Sequence, residues 1–175
     1  MEPFYIIPKD GRTHLSTLFD DDSDVYMKYE EMFVKAVFCC MDESHNSTLY
    51  VSELCHYPLL DNLVIEDEII DASELKHFYI DRMKKCIRMN GKYYNANMMN
   101  LYNNIKNNMC LTKNEIDAVV RLKLRNNICY FKLVNPIGFC IDICDDFMIV
   151  TLEKMSLESM TKLEELGMDV QHYYG

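Results

Sequence analysis

A chain of 175 residues, 49% hydrophobic and 26% charged, has ordinary globular proportions that exclude wholesale disorder and leave room for one large domain or two small lobes. Its 18 basic against 28 acidic side chains leave a net charge of −10, which disfavours phosphate backbones and anionic membranes and suits cations or basic, amphipathic partners. No apolar run approaches the roughly 18 residues of a membrane-spanning helix. The first residues lack the basic-then-apolar order of a secretory leader.

Residues 3–8 read as extended and proline-bounded, with a turn at Asp10-Gly11. An acidic run, Asp20-Asp21-Asp22-Ser23-Asp24, precedes a helix over about 24–41, where negative charge favours the N-terminus. Tyr29, Met32, Phe33, Ala36, Val37 and Cys40 give that helix a broad apolar face. A short helix is expected over 51–58, ended before Pro58. Asp71-Ala-Ser-Glu74 resembles a capping box, and the helix after it would carry Leu75, Phe78, Tyr79 and Met83.

Asn90-Gly91 is a turn signal, and Met98, Leu101, Tyr102 and Ile105 keep helical register through an Asn-rich stretch. Thr112-Lys-Asn-Glu115 is a better capping box, with Leu111 and Ile116 placed as a hydrophobic staple. From residue 128 the texture changes. Runs at 128–134, 139–143 and 147–152 are β-rich and separated by turn residues, which predicts a small antiparallel meander. Ser156 would cap a last helix, with Met160, Leu163 and Leu166 inward and Gly167 as its stop.

The eight cysteines are Cys39, Cys40, Cys55, Cys86, Cys110, Cys129, Cys140 and Cys144. No Cys-x-x-Cys pair occurs, and Cys39-Cys40 with Cys55-His56 fits no common zinc spacing, so small buried thiols in an intracellular, reducing compartment (the cytoplasm) are expected. Lys113, Arg121, Lys123 and Arg125 are the nearest thing to a basic patch and read as the solvated side of a helix. A cysteine with His14, His45, His56, His77 or His172 could form a dyad in principle. The chain has no phosphate loop, nucleophile elbow or His-Glu-x-x-His string, so the expectation is that it is not an enzyme.

One segment carries chemistry in its spacing. After the first helix, Asp42, Ser44, Asn46 and Thr48 offer oxygens at alternate loop positions one, three, five and seven. Leu49 stands at position eight and Glu53 at twelve. A hard cation needs six to eight oxygens, so a loop that binds one curls and turns alternate residues inward. Ser47 stands where glycine is expected and only Asp42 and Glu53 are charged, so at most one weakly held calcium is expected. Gly11 and Gly91 could be the sixth positions of further loops, but Arg88 would put a cation in a cation's seat.

Leu111-Thr112-Lys-Asn-Glu115-Ile116-Asp117-Ala-Val119-Val120-Arg121 resembles the helix entering the last hand of calmodulin-like proteins, and Asn126-Asn127-Ile128-Cys-Tyr130 resembles a shortened loop. This resemblance to the EF-hand superfamily implies a mainly α fold of paired EF-hand-like helix–loop–helix units. Residues 1–70 would form an N-terminal lobe and 71–135 a degenerate C-terminal lobe, with a small β-containing extension over 136–175. It also implies a calmodulin- or light-chain-like adaptor that grips a basic or amphipathic helix of a partner protein with weak or no calcium dependence. The alternative is an unrelated α+β interaction factor of a virus or intracellular pathogen, favoured by the β-rich tail and the Asn- and Ile-rich texture.

Overall fold

A computed structural model describes residues 1–10, 23–45, 48–56, 62–65, 68–71, 77–78, 80–81, 83–84, 94–128, 130–144 and 146–172. The fold is α+β. Seven strands make one antiparallel sheet: β1 (Glu2–Pro8), β2 (Leu49–Cys55), β5 (Cys110–Leu111), β6 (Tyr130–Val134), β7 (Cys140–Ile143), β8 (Met148–Leu152) and β9 (Met168–His172). Their order across the sheet is β5-β2-β6-β7-β8-β1-β9. A separate hairpin joins β3 (Asn62–Ile65) to β4 (Glu68–Asp71). Four helices have both ends among the described residues: α1 (Ser23–Glu43), α2 (Ala96–Asn104), α3 (Lys113–Leu124) and α4 (Leu157–Glu165); residues 77–78, 80–81 and 83–84 are helical as well. Helix α1 packs on α3 and α4, and α2 packs on α3.

This overturns the expectation of a mainly α, EF-hand-like protein. The paired helix–loop–helix units are replaced by a sheet that takes strands from residues 1–70, 71–135 and 136–175 alike. The segment expected to curl round an ion instead continues α1 through Glu43 and then enters strand β2 at Leu49, with no exiting helix over 49–55. The helix expected over 51–58 is likewise a strand as far as Cys55. Helix α1 ends with Ser44 N–H donating to Cys40 C=O at 3.1 Å and with His45 in the left-handed region (φ 53°).

Several local expectations match the structure. The meander is β6-β7-β8, each strand antiparallel to the next. The β6–β7 turn is closed by Asn135, whose Oδ1 accepts the N–H of Ile137 (3.1 Å) and of Phe139 (2.9 Å), while Gly138 takes φ 95°. Thr112 and Glu115 form a full capping box on α3. Ser156 caps α4, accepting Ser159 N–H at 3.1 Å, and Gly167 (φ 90°) turns the chain into β9. Asn126 and Asn127, read as a shortened loop, are instead the end of α3. Asn126 is left-handed (φ 55°), its N–H donates to Lys123 C=O, and Asn127 N–H donates to Leu122 C=O, both at 2.9 Å. Gly11, the acidic run at 20–22, Pro58, Leu75, Tyr79, Cys86, Arg88, Asn90 and Gly91 lie outside the described residues.

Strand alternation sorts the sheet into two faces. Phe4, Ile6, Leu49, Val51, Phe131, Leu133, Ile141, Ile143, Met148 and Val150 are buried. They join Phe33, Val37, Leu101, Val119, Leu122 and Leu163 of the helices in one core cluster. The alternate residues (Tyr5, Ile7, Tyr50, Val134, Cys140, Ile149 and Thr151 among them) line the opposite face and stay half-buried.

Candidate functional site

Two charge clusters stand on opposite sides of this architecture. The first lies under the helices. Glu30 sits one turn from Tyr26 and Phe33 on the buried stripe of α1, so its carboxylate is carried away from water and needs partners there. Arg125 meets it with two bonds, Nε to Oε2 at 2.7 Å and Nη2 to Oε1 at 2.5 Å, with the side chains 1% and 0% exposed. Arg121, one turn earlier on α3, donates to Glu30 (2.9 Å), Glu31 (2.7 Å) and Asp117 (2.7 Å). The Arg125 guanidinium also stacks 4.8 Å over the Tyr94 ring. Burial opposes both guanidinium charges, but the carboxylate bonds outweigh it and hold both protonated above their ordinary range. Burial, with Glu30 nearby, pushes the Tyr26 phenol up.

Lys113, Arg121, Lys123 and Arg125 are expected from the sequence on the solvated side of a helix. The structure corrects this expectation, since Lys123 is 4% and Arg125 6% exposed. The available signal was an acid set within the apolar stripe of one helix, and two arginines four residues apart on another. A cleft of about 470 Å³ adjoins this cluster, lined by Met27, Asn95, Asn97, Asp117, Arg121 and Arg125 among others. The guanidinium groups in its wall are already engaged by Glu30, Glu31 and Asp117.

The second cluster lies on the open face. Strand β2 carries a bulge against β6, because Ser52 pairs with Lys132 but Cys55 with Tyr130, so β2 uses three steps where β6 uses two. Glu53 takes the extra place with φ 52° and reaches Lys132 at 2.8 Å. On the neighbouring strand, Tyr130 donates its hydroxyl hydrogen to Asp142 Oδ2 at 2.9 Å. Burial and that bond push the Tyr130 phenol to about 12. The Glu53 bond holds the Lys132 ammonium above its ordinary range. The second oxygen of Asp142, Oδ1, is buried without a hydrogen-bond partner.

Around these four groups the same face presents an aromatic and aliphatic field. Tyr5 packs on Phe147 with ring centroids 4.6 Å apart, and pairing places Ile149 between Tyr5 and Asp142. Pairing also sets Val134 between Tyr50 and Cys140. The described helices and their core lie on the other side of the sheet.

The residues expected to hold calcium are spread out. Asp42 is in the last turn of α1, and Ser44 donates its hydroxyl hydrogen to Met41 C=O at 2.8 Å. Asn46 lies outside the described residues, Thr48 precedes β2, and Glu53 is paired to Lys132. No group of three or more His, Cys, Asp or Glu able to hold a metal occurs among the described residues. The calcium-binding, EF-hand character expected from the spacing is therefore withdrawn with the fold that implied it.

The side chain that does find a polar nest here is Glu43, which the loop reading passed over. Its carboxylate accepts Ser156 N–H (2.9 Å) and the Ser156 hydroxyl (2.7 Å), and also the Ser159 hydroxyl, at the N-terminus of α4. Burial works against its charge, but these bonds outweigh it and hold the carboxyl below its ordinary value.

Among the described residues the cysteines are free thiols. Burial pushes those of Cys39, Cys40 and Cys140 up, away from the thiolate a nucleophile needs. No described helix is long and apolar enough to cross a membrane. We found no matching family model, no matching curated protein and no matching solved structure.

Proposed function

We propose that the chain is a non-catalytic protein-binding module whose docking surface is the open face of the seven-stranded sheet, and that its occupant is a basic, amphipathic helix of a partner protein. One observation carries the reading. A helix layer already covers one face, yet the other still presents Tyr5, Ile7, Tyr50, Val134, Phe147 and Ile149 half-exposed. Aromatic and aliphatic side chains concentrated in one patch favour macromolecular contact over solvent. Acidic Glu53, Asp142 and Asp169 sit on or beside the same face, and a net charge of −10 favours a basic occupant. Calcium has no part in this reading.

Affinity capture from cell extract on immobilised wild type and Ile149→Lys tests it. Lysine pairs acceptably with Asp142 opposite, so the variant should keep the wild-type circular dichroism spectrum while placing a repelling charge in the face. A protein retained by wild type and lost from the variant, with cross-links mapping to Lys132, is the expected result. Equal retention by both chains, or none by either, overturns the proposal.

A further inference from the structure

The two edges of the sheet are built differently. The β5 edge is only two residues long and runs at once into the capping box of α3, so it offers no template for a further strand. The β9 edge has five residues, Met168-Asp-Val-Gln-His172, paired in unbroken register with β1. Natural edges are usually blunted by proline, lysine, a bulge or extreme shortness. Strand β9 has no proline, lysine or bulge and is not short; the one carboxylate it carries is Asp169.

The direction in which its backbone groups point follows from one bond. Lys9 N–H donates to Gly167 C=O at 2.9 Å, so Gly167, and by alternation Asp169 and Gln171, turn their polar groups toward β1. The N–H and C=O of Met168 and Val170 therefore point away from the sheet. Among the described residues no strand pairs with that edge.

We propose that a second copy of this chain adds to the β9 edge, antiparallel and two-fold symmetric, with Val170 on the axis. Three features select this occupant. An antiparallel pair centred on Val170 sets its outward N–H and C=O against those of its counterpart, in a pair that exchanges two hydrogen bonds. It sets Asp169 opposite Gln171 of the copy, so no like charges meet, and the amide that now donates to Asp169 within the strand at 2.6 Å can donate across the axis instead. The Val170 side chain is half-buried against the core, and its counterpart would extend that apolar contact across the axis. Opposing this, each copy carries a charge of −10, so association is reversible and strengthens as salt screens the repulsion.

Sedimentation velocity over a wide concentration range, at low and high salt, tests the proposal. Wild type should pass reversibly from monomer to dimer, with Kd falling several-fold as salt rises. Val170→Lys places the usual edge-blocking residue on the axis and should remain monomeric while keeping the wild-type circular dichroism spectrum, with a lower melting temperature because it gives up the packing of Val170 against the core. Val170→Cys should be joined by a short bis-maleimide linker into a dimer in which mass spectrometry finds residue 170 joined to residue 170. A wild type that stays monomeric throughout, a dimer that survives Val170→Lys, or no linkage at 170 overturns it. Ile149→Lys lies on the open face and should leave this dimer intact, so failure here and failure of the partner-binding proposal are separable.

Discussion

The cluster beneath the helices and the cluster on the open face contain the same chemistry, carboxylate against cation beside a tyrosine, in opposite surroundings. The side chains of Glu30 and Arg125 are 0% and 1% exposed, whereas those of Glu53 and Lys132 are 55% and 27% exposed. Burial makes the first pair indispensable to each other, because either charge left alone would be stranded away from water. Exposure makes the second pair dispensable to the fold, since water can replace either partner. What differs is what each arrangement leaves over: the buried cluster pairs every charge it is seen to contain, while the open face retains an unpartnered Asp142 oxygen and a strained Glu53 within an apolar field.

The largest effect follows from the buried side. Glu30→Gln should cost on the order of 3–5 kcal/mol in urea unfolding, because it leaves the Arg125 charge without its counterion. The double change Glu30→Met with Arg125→Met should recover most of that loss. If the single change costs under about 1 kcal/mol, the contrast between the clusters collapses.

The Glu43 latch comes next. Glu43→Gln removes charge-assisted bonds to Ser156 and Ser159 and should cost about 1.5–3 kcal/mol. The carboxyl is held below its ordinary value in the folded chain, so its contribution is complete above the unfolded pKa of about 4.3 and is lost as pH falls through the lower folded value. A pH series of unfolding midpoints should show wild type losing stability over that acidic window more steeply than Glu43→Gln. Thr112→Ala, which deletes the α3 cap, should cost about 1 kcal/mol in thermal unfolding. Lys132→Met should have the smallest effect, between 0 and about 1 kcal/mol, while strengthening capture of the basic partner, because it removes a cation from the face and releases the Glu53 carboxylate. A loss comparable with that of Glu30→Gln would make the open-face cluster structural after all.

What could be read from the sequence was local. The meander at 128–152, the Thr112 box and the Ser156-to-Gly167 helix each rest on spacing within a few residues, and each is present. What could not be read was pairing over long separations. Strand β2 finds β6 some eighty residues on, and β1 sits between β8 and β9 from the far end of the chain. The misreading at 42–53 has a specific physical cause. An ion-binding loop turns alternate residues inward, and a strand places alternate residues on one face, so both write a period of two. Leu49 and Val51 alternating with Tyr50 and Ser52 was the strand version of that signal. The charge clusters were hidden for the same reason, since Glu30 and Arg125 are 95 residues apart and become partners only once α1 crosses α3.

The central claim, that the open face of the sheet is the working surface, is tested most directly by hydroxyl-radical footprinting of the complex recovered on immobilised wild-type chain. Tyr5, Phe147 and Ile149 should lose reactivity relative to the free chain, while Phe38 and Met160 on the helix layer keep theirs. Protection confined to the helix layer, with the three open-face side chains unchanged, would contradict it.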